Sequence, residues 1–246
     1  MNYIRAALLL LLAVRVSADP IADVRAVLSR LTAREAVHAT YELQKSIVNE
    51  GKLGNDKFAG KAIVELEADA GGFRIIVPQA LLAQIDRERE AKIRDPKLNT
   101  PTVSALSEID ATKTSDAVDF APVLLRMLDG AKLVSDAAST FQGKPARAIV
   151  LRLADRLDPD DAGRVKISEN RLTLWLDNEL VPVGAEHLVN AKFSFLIFKG
   201  ESKQKKSWYF AHVADRLVRV RHESTENSSG MGQKGNESLV ALVRVH

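Results

Sequence analysis

Apolar and polar positions alternate with a period of two along most of this chain, which is the pattern of half-buried β-strands. Residues 36–47 keep this alternation and place Val37, Tyr41 and Leu43 on one face. Two further runs, 60–68 and 73–78, flank a turn that contains two consecutive glycines. Glycine adopts the unusual φ values of tight turns, so these runs predict a hairpin.

Three segments have the spacing of amphipathic helices instead. Residues 20–31 begin with a proline at a position that a first helical turn tolerates. Residues 79–94 carry a sparse apolar stripe among charged side chains and stop before Asp95-Pro96. Residues 115–129 begin at a serine and end at Gly130, as an N-cap and a C-cap would require. The sequence thus predicts about three helices.

The chain beyond Lys132 reads almost entirely as strands joined by short connections. The predicted strands are 133–141, 146–153, 171–176, 181–198, 207–214, 217–224 and 238–245. Short loops between consecutive strands favour antiparallel neighbours. We interpret 200–206 as a charged hairpin tip and 227–236 as a further hairpin loop, and 219–221 as a solvated basic strand face. No repeat or linker interrupts this pattern, so residues 19–246 are predicted to form a single β-rich domain.

Several of these strands are apolar on both faces. Residues 171–176 alternate leucines with Trp175, and residues 192–199 place phenylalanines on both sides. Both faces are therefore expected to be covered. Helices can cover one face; the other needs a second sheet, a closed barrel interior or a ligand, and a sheet folded over on itself is favoured over a ligand cavity. The predicted fold class is mainly β, a curved antiparallel sheet or half-barrel with about three covering helices.

The first eighteen residues differ from the rest. A short basic head with Arg5, an apolar run over 6–14 and a Val-Ser-Ala exit at 16–18 are typical of a cleaved signal peptide. The run is shorter than the roughly 20 apolar residues that cross a bilayer. We therefore predict a signal peptide over 1–18, export, and a periplasmic location.

Charge and cysteine content limit the kinds of partner and of membrane attachment that we expect for this chain. The chain has 35 Lys+Arg and 32 Asp+Glu, and residues 1–18 hold two of the arginines and no acids, so the remainder carries 33 against 32. This balance argues against nucleic acid as a partner. The chain has no cysteine, so stability cannot come from disulfides and a lipoprotein-type membrane anchor is not expected.

The order of predicted elements resembles a known superfamily. A first strand over 36–47, a second that includes Phe58-Ala-Gly-Lys-Ala62, a third over 73–78, inserted helices, and a strand with an acidic turn and Pro182 are similar to the periplasmic lipoprotein carriers and localisation factors. The resemblance covers most of the chain after residue 18 and is one of topology, without a diagnostic motif. It implies a half-barrel lidded by helices that binds lipidated ligands.

The sequence contains no recognisable combination of a nucleophile, a base and a residue that orients the base. None of the five histidines lies at i+2 or i+4 from another, so a metal site would need the fold to bring them together. We expect no catalytic residue, no metal and no cofactor.

Three functional hypotheses remain. The first is a non-catalytic carrier or sensor of an apolar or lipidated ligand in a bacterial cell envelope. Its candidate lining residues are Trp175, Phe193, Phe195, Ile197, Trp208 and Phe210. The second is a structural or regulatory module that binds an envelope protein through a sheet edge or the basic segment with Lys203, Lys205 and Lys206. The third, an enzyme with an unrecognised site, would need His38, His187 or His212 to meet a carboxylate in a cleft.

Overall fold

The computed structural model describes residues 19–51, 56–157, 163–195, 198–230 and 232–246, except the side chains of 195 and 198. The predicted signal peptide lies outside these ranges. Within them the chain forms five helices: α1 (Pro20–Leu28), α2 (Gln79–Arg94), α3 (Pro101–Ser107), α4 (Ala111–Val118) and α5 (Ala121–Met127). Its ten strands are β1 (Val37–Gly51), β2 (Asp56–Asp69), β3 (Gly72–Ile76), β4 (Lys132–Phe141), β5 (Lys144–Arg152), β6 (Val165–Leu176), β7 (Pro182–Phe195), β8 (Phe198–Val213), β9 (Arg216–Gly230) and β10 (Gln233–Val245).

All ten strands belong to one open antiparallel sheet. Their order is β3-β2-β1-β10-β9-β8-β7-β6-β5-β4, so the last strand pairs with the first and β4 lies at the edge opposite β3. The helices α2 to α5 connect these two edges along the chain. The fold class predicted from the sequence, mainly β with an antiparallel sheet, is confirmed.

Strand register arranges side chains in rows that cross the sheet. One row on a single face runs Leu43, Ala241, His222, Trp208, Ala185, Leu174 and Ile149. Leu43 and Ala241 pack in one cluster with Ala117 and Val118 of α4. Leu174 and Trp208 pack in a second cluster with Phe120 and Leu124. We call this face the helix side, because helices cover both of its ends.

Local signals explain where several elements begin. The Asp19 carboxylate accepts hydrogen bonds from the backbone N–H groups of Ile21 and Ala22, which caps α1 ahead of Pro20. The predicted turn between β2 and β3 is confirmed, with Gly72 at a φ of +128°. Helix α2 has the bounds that its apolar stripe predicts.

Other predicted elements are wrong. The segment 115–129 is two helices, because Asp110 rather than Ser115 caps α4 and α5 begins anew at Ala121. Helix α3 was not predicted. Residues 200–206 are not a hairpin tip but part of the 16-residue strand β8, whose charged side chains alternate with small and polar ones. The loop predicted over 227–236 is also mostly strand, since β9 extends to Gly230 and β10 starts at Gln233. The strands of the described residues form one open sheet, which excludes a second sheet and a closed barrel interior as the cover of its second face. The packing of the sheet on itself stays a prediction. The assignment of 19–246 to one domain stays a prediction.

Candidate functional site

A group of polar side chains interrupts the apolar packing at the middle of the helix side. It consists of His187 on β7, Lys206 and Trp208 on β8, and Arg219 and His222 on β9; we call it the central polar cluster. His187 lies directly opposite Lys206, and Trp208 lies directly opposite His222. Three neighbouring strands therefore bring these five side chains together.

The Trp208 indole is the centre of the cluster. Its ring centroid lies 6.2 Å from the His187 ring and 6.1 Å from the His222 ring. On its other side Phe120, which precedes α5, approaches to 5.2 Å. The Arg219 guanidinium carbon lies 5.2 Å from the centroid of the same Phe120 ring. The cluster thus has an aromatic floor that is fixed by the helical layer.

Three buried polar atoms in this cluster lack a hydrogen-bond partner within the described residues. They are Trp208 Nε1, Arg219 Nε and His222 Nε2. Buried polar atoms in folded proteins are nearly always paired, and each unpaired one costs roughly 1–3 kcal/mol. Three such atoms therefore lie together in one patch of the helix side.

His187 is oriented by a neutral amide. The Asn170 Nδ2 group donates to the Ala154 carbonyl oxygen at 3.1 Å and to Asp155 Oδ1 at 3.2 Å, which turns Asn170 Oδ1 towards His187 Nε2 at 2.8 Å. That oxygen can only accept, so we assign the ring proton to Nε2. Burial, aided by the Lys206 charge, lowers the pKa of His187 to about 4.

His222 and Arg219 sit deeper. Burial, together with the charges of Arg219 and Lys206, lowers the pKa of His222 to about 3, so the ring is neutral at pH 7. Arg219 is only 8% exposed, and its guanidinium is within hydrogen-bonding reach of the Tyr41 hydroxyl. Burial also lowers the pKa of this guanidinium. Arginine nonetheless stays charged in proteins, so a fixed positive charge lies beneath the cluster.

Lys206 is half-buried and has no ion pair among the described residues. Burial lowers the pKa of its ammonium group, and the charge of Glu226 only partly offsets this. The Glu226 carboxylate is itself engaged, because Ser202 Oγ donates to it at 3.0 Å and Gln204 Nε2 at 3.1 Å. The carboxylate whose charge acts on Lys206 is therefore already hydrogen-bonded to other side chains.

An apolar column leads away from this cluster along β7. Because alternate residues of a strand share a face, Val189, Ala191 and Phe193 follow His187 on the helix side. The first two are half-buried and Phe193 is 41% exposed. The Phe193 ring lies against Gly200 on β8, in space that a Cβ would fill. Polar and apolar contact surfaces thus adjoin along one strand.

The lining residues predicted from the sequence do not share one surface. Trp208 and Phe210 lie in the core beneath α5, where the Phe120 ring contacts both. Trp175 is on the opposite face, 5.2 Å from the Phe141 ring. Phe193 stands on the helix side at the far end of β7. Ile197 and the side chain of Phe195 lie outside the described residues.

Known proteins show only weak similarity to this chain. No family model matches the chain, and no curated protein matches its sequence. Among solved structures, a DUF1329 family protein from Desulfovibrio piger is similar, with 9% identity, coverage of 90% of this chain and 91% of that one, and a TM-score of 0.26. MucB, solved in complex with MucA(peri), has 9% identity, coverage of 91% and 94%, and a TM-score of 0.20. Both similarities are weak, and membership of the lipoprotein-carrier superfamily stays a prediction.

The described ranges contain neither a membrane-spanning helix nor a metal-binding cluster. No helix in them is long and apolar enough to cross a membrane. No three histidine or carboxylate side chains in them are arranged to hold a metal ion. His187 meets an amide rather than a carboxylate. His38 Nδ1 lies 3.7 Å from Glu67 Oε1, but at an exposed position on the opposite face and outside the cluster. His212 is not in the cluster either.

The sequence predictions name Trp208 as a lining residue, Lys206 in the basic segment of the second hypothesis and His187 in the third, but they do not join these residues into one site. The interpretations of 200–206 as a hairpin tip and of 219–221 as a solvated strand face are wrong for Lys206 and Arg219, and the sequence predicts no role for His222. Arg219 is instead buried. One feature of the sequence does connect two cluster residues. Lys206 and Trp208 are two residues apart, and residues at that spacing share one face of a strand.

Proposed function

We propose that this chain is a non-catalytic, exported binding protein that holds an apolar or lipidated ligand on the helix side of its sheet, in the periplasm of a bacterial cell envelope. The observation that carries the proposal is the set of three buried, unpaired polar atoms around Trp208. Ligand sites are typically apolar surfaces with a few convergent polar groups. The column Val189, Ala191 and Phe193 beside the cluster fits that description.

A binding role accounts for the histidines better than catalysis does. A general base works best with a pKa near the operating pH. The pKa values of His187 and His222, about 4 and about 3, keep both rings neutral at pH 7 and make them weak bases. His187 is also held by an amide, which does not stabilise an imidazolium as a carboxylate would.

The test is direct identification of a bound molecule. Protein purified from its own envelope fraction would be analysed by native mass spectrometry and by organic extraction followed by lipid analysis. We expect a bound amphiphile in the wild type, and its loss in Val189→Glu, which places a charge in the apolar column. Leu188→Glu is the matched control, because Leu188 points to the opposite face. Absence of any bound amphiphile, together with no uptake of an added one, would overturn the proposal.

A second candidate, a partner-binding module, is favoured by the sheet edge. Among the described residues strand β4 pairs with β5 alone, and Leu133 and Val134 on it are 43% and 63% exposed. Open edges offer unpaired backbone groups to an extended segment of another protein. A Val134→Pro variant should lose a crosslinked envelope partner while it keeps ligand binding; retention of the partner would exclude this edge.

A further inference from the structure

We infer that the polar end of the ligand is an oxyanion, a carboxylate or a phosphate ester, and that it binds at the central polar cluster with Lys206 as its direct cationic contact. The inference rests on the proposed function and specifies the class of ligand for the same site. It follows from the hydrogen-bonding chemistry of the cluster, from the charges around it and from the contrast between Lys206 and a second lysine.

The unpaired groups are almost all hydrogen-bond donors. Trp208 Nε1 and Arg219 Nε can only donate, and a lysine ammonium has three donors and no acceptor. His222 Nε2 can donate in one of its two neutral tautomers. A partner that satisfies all of them must be rich in acceptors. A carboxylate or phosphate has several lone pairs on two or three oxygens, whereas an alcohol or amide offers one acceptor oxygen and brings a donor as well.

The neighbouring carboxylates do not supply the acceptors that the unpaired donors need. Ser202 and Gln204 both donate to Glu226. Asp116 acts on Arg219 only through its charge, and burial raises the pKa of the Asp116 carboxyl. With both histidines neutral, the charges that face the cluster are Lys206 and Arg219 against these two acids. Lys206 and Arg219 belong to the same cluster as the unpaired donors, and Arg219 Nε is one of them, so an anion is the complementary occupant.

A second lysine on the helix side, Lys45, differs from Lys206 because its ammonium group forms ion pairs. Lys45 Nζ lies 2.6 Å from Glu108 Oε1 and 3.1 Å from Glu237 Oε1. It is in the same row as Lys206, which has no such partner in the described part of the chain. The fold therefore supplies counter-ions to one lysine of the row and leaves the other for an external anion.

The experiment compares amphiphiles with equal tails and different heads. Isothermal titration calorimetry at pH 7.5 would measure decanoate, decyl phosphate and neutral decanamide, with inorganic phosphate as a tail-free anion. The variants are Lys206→Gln, Trp208→Phe, which deletes the indole donor, and Lys205→Gln as the control. Lys205 neighbours Lys206 but pairs with Glu186 on the opposite face, at 2.7 Å.

We expect the wild type and K205Q to bind the two anionic amphiphiles about tenfold or more tightly than decanamide, consistent with a charge-assisted hydrogen bond. K206Q should lose that preference and W208F should reduce it, the preference being the ratio of anionic to decanamide affinity within each variant. Equal binding of the anionic and neutral heads would overturn the anion inference and leave the proposed function standing. Inorganic phosphate binding as tightly as decyl phosphate would support the anion site and contradict the amphiphile. Failure of every probe to bind would overturn both.

Discussion

Lys45 and Lys206 lie in the same row of side chains on the helix side, separated only by Leu239 and Ser224 on the two strands between them. Lys45 contacts two carboxylates, and Lys206 contacts none among the described residues. Both side chains lose hydration on folding, yet only Lys45 recovers the cost through ion pairs. This difference separates a lysine that stabilises the fold from one that is available to a ligand.

Replacement of each lysine by methionine should therefore change stability in opposite directions. Lys206→Met removes a half-buried, unpaired charge and should raise the free energy of unfolding by about 1 kcal/mol. Lys45→Met leaves Glu108 and Glu237 without their partner and should lower it by about 1–2 kcal/mol, since both acids are partly exposed. Urea unfolding at pH 7.5, followed by circular dichroism, measures both. A K206M variant that is as destabilised as K45M would show that Lys206 has a structural partner.

The two cluster histidines should make the protein less stable in mild acid. Their pKa values in the folded state, about 4 and about 3, lie below the unfolded value of 6.5, so the unfolded chain binds more protons as the pH falls through 6.5. Each histidine should remove about 2 kcal/mol of unfolding free energy between pH 7.5 and pH 5. Burial raises the pKa of Asp116 and Asp119, which acts in the opposite direction closer to pH 4.

The measurement is the urea midpoint as a function of pH for the wild type, His187→Gln and His222→Gln. Each substitution should flatten the slope between pH 7.5 and pH 5. His38→Gln, at an exposed position on the opposite face, controls for the substitution itself. A wild-type slope near zero would mean that the two rings are hydrated in solution.

The alternation of apolar and polar residues was enough to predict the strands, because it can be recognised within each strand without knowledge of its neighbours. The faces of 37–43 and of 171–176 follow from parity alone, and the structure buries Val37, Ala39, Leu172 and Leu174 as that parity requires. Helix α2 was likewise found from its stripe and its terminal Asp-Pro. Helices α3 to α5 were merged or missed, because each is at most eight residues long and too short for a periodic signal.

The site could not be found in this way, because it depends on register between strands. His187, Lys206 and His222 are far apart in sequence, and only the pairings β7–β8 and β8–β9 place them together. A bulge between Tyr209 and Phe210 shifts the register in which Arg219 is placed. A one-residue slip would send Lys206 to the solvent, and the sequence alone does not fix such a slip in a strand with polar residues on both faces.

Phe141 and Gly184 should show strong energetic coupling on the face opposite the helices. The Phe141 ring lies over Gly184, between Trp175 and Tyr209 at centroid distances of 5.2 and 5.7 Å. A Cβ at position 184 would collide with that ring, so Gly184→Ala should cost about 1–3 kcal/mol. In a Phe141→Ala background the same change should be neutral or stabilising, since alanine is preferred to glycine within a strand. A double-mutant cycle by urea unfolding measures this coupling, and additive costs would contradict it.

Asp215, at the turn between β8 and β9, should control the order of the segment that joins α1 to β1. Its carboxylate accepts hydrogen bonds from Thr32 Oγ1 at 2.7 Å and from the backbone N–H groups of Arg34 and Glu35 at 2.8 and 3.2 Å. These bonds lower the pKa of Asp215 to about 2. Because this lies below the usual value of 3.8, the stabilisation is complete above pH 3.8 and is lost as the pH falls through 2.

Asp215→Ala should therefore raise the hydrogen-exchange rates of the Arg34 and Glu35 amides by about tenfold or more at pH 7, with the sheet amides unchanged, because only local opening is affected. Asp177→Ala is the matched control: Asp177 accepts from the amides of Glu179 and Val181 within its own turn, so those two amides should respond instead. Hydrogen exchange followed by NMR resolves the four positions. Unchanged protection of Arg34 and Glu35 in D215A would mean that the segment is held by the two bonds that remain, from the Ala33 N–H to the Asp215 carbonyl at 3.2 Å and from Arg216 Nε to the Glu35 carbonyl at 2.9 Å.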